Sequence, residues 1–268
     1  MTEIKEIIAK IEEFAPKSLA LPGDPVGLQI GSADEGITKA LVTLDVRPEI
    51  VQEAIDSNIH FIFSHHPAMF KPAKNLDYRD PQNAMYAEII KHDITVYSAH
   101  TNIDCAKHGM NDWLAEKLQL EQIKPFAFEL NEDGCPIGLG RKGVLKQPVE
   151  LANFAEKIKQ IFKLEGLRLI ANNPHQLIQK VGIIGGDGGK YFQQAITNQL
   201  DLFITGDVYY HTGHDMLAAN LAVIDPGHHI EQIFKRVMSD KLNEWSAANK
   251  WGVDFVPSQI STDPYQFI

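Results

Sequence analysis

Two adjacent histidines at the end of a short apolar segment are the residues of this sequence best suited to chemistry. His65 and His66 follow Phe61–Ser64 and precede Pro67. Imidazole is the commonest metal ligand near neutral pH, and strand ends of an α/β protein face the ligand-binding crevice. Neighbouring side chains on an extended strand point to opposite faces, so both rings share one target only if the backbone turns, which Pro67 favours. The pair therefore predicts a site, with two centres as one alternative.

Two further segments carry metal-type ligands after apolar stretches. In the segment from His100 to Asp104, both of these residues lie on one face if the backbone stays extended. His228 and Glu231 are three residues apart at a predicted helix start and project from one side, whereas His229 lies off that face. Strand exits of a parallel sheet collect along one edge. Ligands that are far apart in the sequence can therefore converge there.

The ligand types indicate which ions the site can hold. Several imidazoles with two carboxylates fit Zn, Mn or Fe better than Ca or Mg, which prefer oxygen ligands only. Two divalent ions bring four positive charges, of which Asp104 and Glu231 balance two, so an anionic group is attracted. Two ions about 3.5–4 Å apart can hold a bridging hydroxide as a nucleophile. The prediction is a pair of divalent ions that act on a small anionic substrate.

Three other features leave alternatives open. Asp24, in a loop rich in glycine and proline, either lines the site or only shapes a turn. His211 follows a later strand exit and either lines a pocket or lies on the surface. The run Gly185–Gly189 lacks the frame of a phosphate-binding loop, so a tight strand-to-helix turn is the favoured interpretation.

The elements that must position these residues form βαβ units. Strands predicted at Ala40–Leu44 and Ile59–Phe63 flank a helix predicted over Pro48–Asp56. A second unit of the same pattern covers Val181–Ile204, and an offset of 141 residues superposes the two without a gap. Duplication explains this agreement, although independent βαβ units would give a similar pattern.

The predicted fold is α/β, with two related α/β domains built on βαβ units and a metal site at the C-terminal ends of strands. We expect residues 1–125 plus 226–268 to form the metal-binding domain and residues 126–225 to form the second. Residues 125–145 are rich in glycine and proline and are predicted to carry the chain into that second domain. At the equivalent strand exits, His65 and His66 correspond to Gly206 and Asp207, so the copies have specialised.

Composition excludes several classes of protein. The formal net charge of −10 and pI near 5.5 argue against a nucleic-acid partner, which clustered Lys and Arg would hold. The two cysteines make no disulfide framework or zinc motif. No apolar run approaches the length needed to cross a bilayer, and no leader pattern opens the chain. We expect a cytoplasmic protein with no membrane partner.

Five ordered segments resemble the Ngg-interacting-factor-three family, whose bacterial members are labelled GTP cyclohydrolase I type 2 homologues. These segments are Gly23–Gly31, Ser64–Pro67, His100–Asp104, Thr205–Asp207 with His211, and Asp225–Glu231. The resemblance implies a dinuclear metal centre and a homohexameric toroid. The ligands it implies are His65, His66, Asp104, His228 and Glu231. Some relatives space the final His and Glu by four residues, so the choice between His228 and His229 stays open.

Two functions are compatible with these patterns. The leading one is a dinuclear metal-dependent hydrolase acting on a small anionic substrate, for example a nucleotide. Glu231 or Asp104 would bridge or terminate the metals, and His100 would orient the substrate or exchange protons. The alternative is a metal-binding, metal-delivery or protein-interaction protein without catalysis. Delivery proteins often use exchangeable Cys or Met ligands, and the three segments contain none beyond Cys105, which favours the enzyme modestly.

Overall fold

Each of the two compact units of the chain contains one mixed β-sheet. The computed structural model describes residues 1–268. The first unit comprises residues 1–103 and 232–262, and the second comprises residues 104–231 and 263–268. None of the helices is long and apolar enough to span a bilayer.

The first unit is built on a five-stranded sheet and a short two-stranded one. Its helices are α1 (Ile4–Phe14), α2 (Pro48–Asp56), α3 (Pro81–Lys91) and α9 (Ile233–Asn249), and α4 (Thr101–Cys105) contains its boundary. Its strands are β1 (Thr2–Glu3), β2 (Gly27–Ile30), β3 (Gly36–Ile37), β4 (Lys39–Thr43), β5 (Phe61–Ser64), β6 (Thr95–Ser98) and β13 (Asp254–Pro257). The large sheet has the order β13-β4-β5-β6-β2, in which only β2 is antiparallel to its neighbour.

The central strands of this sheet are apolar and buried along their whole length. Every residue of β5 and of β6 is buried, as expected when helices cover both faces of a parallel sheet. The helices α2 and α3 bury one apolar stripe each in the same core, through Ile50, Val51, Met85 and Ile89. The end of β5, which carries the histidine pair, is therefore fixed by a packed scaffold.

The second unit is built on one six-stranded sheet. Its helices are α5 (Met110–Lys117), α6 (Leu151–Phe162), α7 (Phe192–Thr197) and α8 (Tyr210–Ala218). Its strands are β7 (Glu121–Leu130), β8 (Pro136–Glu150), β9 (Arg168–Ile170), β10 (Leu177–Asp187), β11 (Leu202–Gly206) and β12 (Ala222–Asp225). The order is β7-β8-β10-β11-β12-β9, with β10, β11 and β12 parallel.

The two units repeat one topology. In each, three consecutive parallel strands are joined by helices, and an earlier strand pairs antiparallel with the third of them. Leu41 pairs with Ile62 in the first unit, and Gly182 pairs with Phe203 in the second, which is the same register after a shift of 141 residues. The prediction of two related α/β units built on βαβ motifs is confirmed.

The hairpin formed by β7 and β8 differs from the sequence-based expectation. Residues 125–145 were predicted to be a connecting segment, but they lie in two long antiparallel strands joined by a turn. Pro136 is the first residue of β8, where a missing N–H is tolerated. Gly140 lies where a Cβ would be 2.5 Å from the Phe126 ring, so this glycine serves packing rather than a loop.

The bounds of the two units differ from those of the predicted domains. The prediction assigned residues 104–125 to the first domain, whereas they lie in the second unit. The helix α5 packs against β8 and β10, which explains that assignment. The last residues also lie in the second unit, where a Cβ on Gly166 would be 2.6 Å from the ring of Phe267.

The crowding around Gly206 explains why the second unit has no histidine at the position equivalent to His65. A Cβ at this position would lie 2.8 Å from the backbone nitrogen of His228 and 3.0 Å from the carbonyl carbon of Gly227. Backbone atoms cannot rotate away, so Gly206→Ala is expected to lower the free energy of unfolding by about 1–3 kcal/mol. Urea denaturation measures this loss. Gly189→Ala is the control, because its Cβ would meet nothing closer than 3.8 Å; equal stability of both variants would contradict the prediction.

Candidate metal centre

A bend at the end of β5 brings the two adjacent histidines together. The N–H groups of His65 and His66 donate to the carbonyls of Thr43 and Leu44, which extend the pairing with β4. The chain then bends, and the centres of the two rings lie 4.9 Å apart. The expected turn before Pro67 is therefore present, and both rings serve one site.

His100 lies beside a short helix rather than in an extended strand, which corrects the expectation for this segment. The side chain of Asn102 accepts from the N–H of His100, and Asp24 accepts from the N–H and hydroxyl of Thr101. These two acceptors start α4, so Asp104 follows His100 by one helical turn. The sequence alone could not show that Asp24, 77 residues before Thr101 in the chain, stabilises this helix start.

Three imidazoles converge in the first unit. Nitrogen atoms of His65, His66 and His100 lie within 4.8 Å of one another. The Nδ1 atoms of these rings bond to Ala99 O at 2.9 Å, Asp45 Oδ1 at 2.7 Å and Asp24 Oδ1 at 2.8 Å, respectively. A carbonyl or carboxylate oxygen only accepts, so Nδ1 carries the hydrogen and the neutral ring keeps its lone pair on Nε2. This is the arrangement of metal-binding histidines whose tautomer is set by a partner.

Asp24 holds its charge despite its burial. Burial alone would raise the pKa of the Asp24 carboxyl, but hydrogen bonds from His100 and Thr101 and the charge of His100 lower that pKa. The carboxylate therefore fixes the His100 ring through Nδ1. The sequence left open whether Asp24 lines the site or only shapes a turn. Its bond to His100 favours the first interpretation.

A second group of ligands converges in the second unit. His228 and Glu231 lie in a short 3₁₀ segment, His228–Gln232, in which side chains three residues apart eclipse. The Nε2 atom of His228 is 3.2 Å from a carboxylate oxygen of Glu231, and carboxylate oxygens of Asp104 and Glu231 lie within 4.8 Å. The spacing of three thus brings His228, rather than His229, next to Glu231.

The second group stabilises a positive charge. Burial alone would lower the pKa of His228, but the hydrogen bonds and charges of Glu231 and Asp207 outweigh burial and raise this pKa to about 10. The Nδ1 atom of His228 bonds to Asp207 Oδ2 at 2.6 Å. A cation is therefore favoured at the position between the imidazole and the carboxylates.

The glycine run beside this group makes room for the carboxylate. A Cβ on Gly185 would be 2.6 Å from Glu231 Oε1, and one on Gly186 would be 3.1 Å from His228 Nε2. The buried side chain of Asn111 accepts from the N–H of Gly185 and donates to the carbonyl of Asp104. The strand β10 continues through Gly185 and Gly186 to Asp187, so the predicted strand-to-helix turn is confined to Gly188, just before a 3₁₀ segment over Gly189–Tyr191. The sequence did not reveal that this glycine run contacts Glu231 and His228.

The chemistry of these donors fits a divalent cation. All four imidazoles have Nδ1 bonded to a fixed oxygen acceptor, and the electrostatics around His228 favour a positive charge. Imidazole with carboxylate donors suits zinc, manganese or iron. Of the residues predicted to have a role, the structure groups His65, His66 and His100 in one unit and Asp104, His228 and Glu231 in the other. His211 is exposed and belongs to neither group.

Asp45 is a partner that the sequence did not reveal as functional. It follows β4 and accepts from His66 Nδ1 and from the hydroxyl of Thr262. Removing such a carboxylate partner weakens metal binding about 10- to 100-fold in other proteins, so Asp45→Asn is expected to do the same here. Competition with a metallochromic chelator measures the affinity. Asp56→Asn, on the exposed side of α2, is the control, and equal affinities would contradict the prediction.

Comparison with known proteins identifies the relatives of this chain. A protein from Streptococcus pneumoniae named "GTP cyclohydrolase 1 type 2 homolog" is 41% identical over 266 residues, which cover 98% of each chain. A Lactococcus lactis protein of the same name is also 41% identical, with the same coverage. The crystal structure of a Bacillus cereus protein related to NIF3 superposes with a TM-score of 0.94 at 29% identity, covering 100% of this chain and 99% of that one.

The family profile described as Duf34/NIF3 (NGG1p interacting factor 3) matches residues 2–264. The match covers both units and every candidate ligand. The resemblance noted from the five ordered segments is thereby confirmed. The chain belongs to the Duf34/NIF3 family.

Proposed function

We propose that this protein is a metal-dependent hydrolase that acts on a small anionic substrate, for example a nucleotide. The observation that carries this proposal is the set of four imidazoles, each held at Nδ1 by an acceptor and close to other ligand atoms of its own unit. The name of the two bacterial relatives agrees with a hydrolytic role.

The proposed ligands form two complementary groups. The first unit contributes three imidazoles, and the second contributes two carboxylates and a histidine. We propose that together they bind two divalent ions of zinc, manganese or iron, through the residues His65, His66, Asp104, His228 and Glu231. When bound, such ions activate water and neutralise anionic groups of a substrate.

The protein's own residues then handle protons and orientation. Asp24 fixes His100 through Nδ1, so Nε2 of His100 is the atom that accepts a proton and later returns it. Glu231 is buried and lies against His228, where it counters positive charge. We therefore propose His100 and Glu231 as the residues that act on the substrate.

Turnover of a substrate panel tests the hydrolase. Protein purified without added metal is analysed for its metal content and assayed with nucleotides and phosphate esters, before and after chelation and reloading. We expect activity that chelation removes and one metal restores, and that His100→Ala lowers by a factor of about 100 or more. His175→Ala, at an exposed site paired with Glu150, is the control. Activity that survives complete removal of metal would refute the proposal.

The family resemblance also has implications for assembly and location. We propose a homohexamer in the cytoplasm, as the family resemblance implies. A hexamer of this 30.0 kDa chain has a mass six times that value, which mass photometry of the purified protein resolves from smaller assemblies. A stable monomer or dimer at cellular concentrations would refute the hexamer.

A further inference from the structure

A cleft in the first unit borders one histidine of the imidazole group. It has a volume of about 380 Å³, within the range of small-molecule sites, and its lining includes Asp45, Arg47, His66, Phe70, Lys71 and Tyr86. All of these residues belong to the first unit. His66 therefore borders the cleft while also lying in the imidazole group.

Two cationic side chains line this cleft without any partner in the protein. Arg47 and Lys71 are exposed, and no hydrogen bond or ion pair is formed by either side chain. Other basic side chains do form ion pairs, for example Lys5 with Glu3 and Lys17 with Glu12. Both kinds of cation recognise phosphate, since arginine supplies two parallel donors and lysine a compact charge.

The only acidic residue of the cleft lining is already engaged. Asp45 accepts from His66 Nδ1 and from the hydroxyl of Thr262. Its charge offsets one of the two cations, so the lining keeps a positive balance when His66 is neutral. The whole chain has a formal charge of −10, and this local excess of positive charge opposes that trend. An anion is thus favoured in this cleft rather than across the surface.

Apart from His66 and Gln82, the rest of the lining is apolar and contains aromatic rings. Phe70 is 60% exposed, and Tyr86 is buried at the cleft with its hydroxyl donating to the carbonyl of Ala68. The side chain of Gln82 donates to the same carbonyl, so this wall is fixed to α3. An exposed phenyl ring in the lining is suited to a flat ring, which stacks on it or meets its edge.

We propose that this cleft binds compounds in which a planar ring carries a phosphate, with the phosphate on Arg47 and Lys71 and the ring on Phe70. Binding itself needs only the first unit's residues. That the cleft is the substrate subsite of the hydrolase rests on the proposed function. His66 places the phosphate end of such a compound beside the imidazole group, where hydrolysis of its ester would occur.

Calorimetric titration with three probes tests the cleft directly. Phenyl phosphate, inorganic phosphate and phenol are each titrated into chelator-treated protein, so no metal contributes to binding. We expect phenyl phosphate to bind more tightly than either fragment. Arg47→Ala combined with Lys71→Ala should weaken it roughly 10-fold or more, and Phe70→Ala about 3- to 10-fold.

The same loop supplies matched controls. Lys74 and Tyr78 are an exposed lysine and a 65% exposed tyrosine that do not line the cleft. Lys74→Ala and Tyr78→Ala should leave the affinity for phenyl phosphate unchanged. Equal affinities of wild type and the Arg47, Lys71 and Phe70 variants, or binding of inorganic phosphate alone as tightly as phenyl phosphate, would overturn the proposal.

The titrations also separate this proposal from the hydrolase. Suppose that binding depends on Arg47, Lys71 and Phe70 but that no metal-dependent turnover occurs. The cleft is then supported as a binding site, and the hydrolase is refuted. Turnover of phosphate esters at an unchanged KM in these variants would support the hydrolase and refute the cleft as its subsite.

Discussion

Loss of His65 or Asp104 is expected to abolish metal binding. His65 is fully buried and its ring is oriented by the carbonyl of Ala99, while Asp104 is buried beside Glu231. A partner that only orients a ligand is worth about 10- to 100-fold in affinity, so loss of a ligand itself should cost more than about 100-fold. His65→Ala and Asp104→Asn proteins should therefore contain almost no metal after purification, as elemental analysis would show.

Thermal unfolding gives an independent measurement of the same loss. A metal that binds only the folded protein adds about 2.7 kcal/mol of stability when its free concentration is 100 times the Kd. Chelation should thus lower the Tm of the wild-type protein, whereas it should leave the Tm of His65→Ala and Asp104→Asn unchanged. His175→Ala serves as the control, since its side chain is exposed.

The two variants distinguish ligand loss from unfolding. His65→Ala removes a buried ring, but Asp104→Asn is nearly isosteric and changes only the charge and donor type. A folded Asp104→Asn protein that retains two ions per chain would refute Asp104 as a ligand. Circular dichroism of both variants checks that the fold is retained.

Replacement of Arg141 by alanine should be the most destabilising change in the second unit. Arg141 is 2% exposed, and its guanidinium contacts Asp112 through two nitrogens, at 2.7 and 3.1 Å. It also donates to the carbonyls of Cys105 and Ala106, immediately after Asp104. Removing one partner of a buried ion pair leaves an uncompensated charge and costs about 3–5 kcal/mol.

Chemical denaturation measures the size of this effect. Arg236→Ala is the matched control, because Arg236 pairs with Asp240 on the surface of α9 and its side chain is 76% exposed. Exposed ion pairs contribute about 0–1 kcal/mol, so the control should unfold almost as the wild type does. A loss below about 1 kcal/mol for Arg141→Ala would contradict the prediction. We also expect weaker metal binding, since Arg141 holds the backbone that follows Asp104.

The parallel strands and their register were predictable because they depend on local patterns. Apolar runs bounded by helix starts give βαβ units, and Pro48 marks the first residue of α2 as expected. The two units share one strand order. The offset of 141 residues that aligns their sequences therefore also aligns their strand pairing. Residues of metal-ligating type at the ends of strands also indicated that His65, His66 and Glu231 lie near other ligand atoms.

Contacts between remote residues were not predictable in this way. Asp24 begins α4 from a loop that precedes the sheet, and Asp45 and Asp207 fix histidines 21 residues from each of them in the chain. Such pairs leave no periodic signal in the sequence. Asp207 has one distinctive backbone feature. Its φ is 52°, a conformation that aspartate tolerates better than most residues.

The close approach of the Gly227–His228 backbone to Gly206 prevents the second unit from carrying a histidine where the first unit carries His65. Position 206 is the counterpart of His65, yet a side chain there would overlap backbone atoms of the neighbouring loop. The two units therefore differ at this position for a steric reason, and a histidine introduced at position 206 would displace the loop that holds His228.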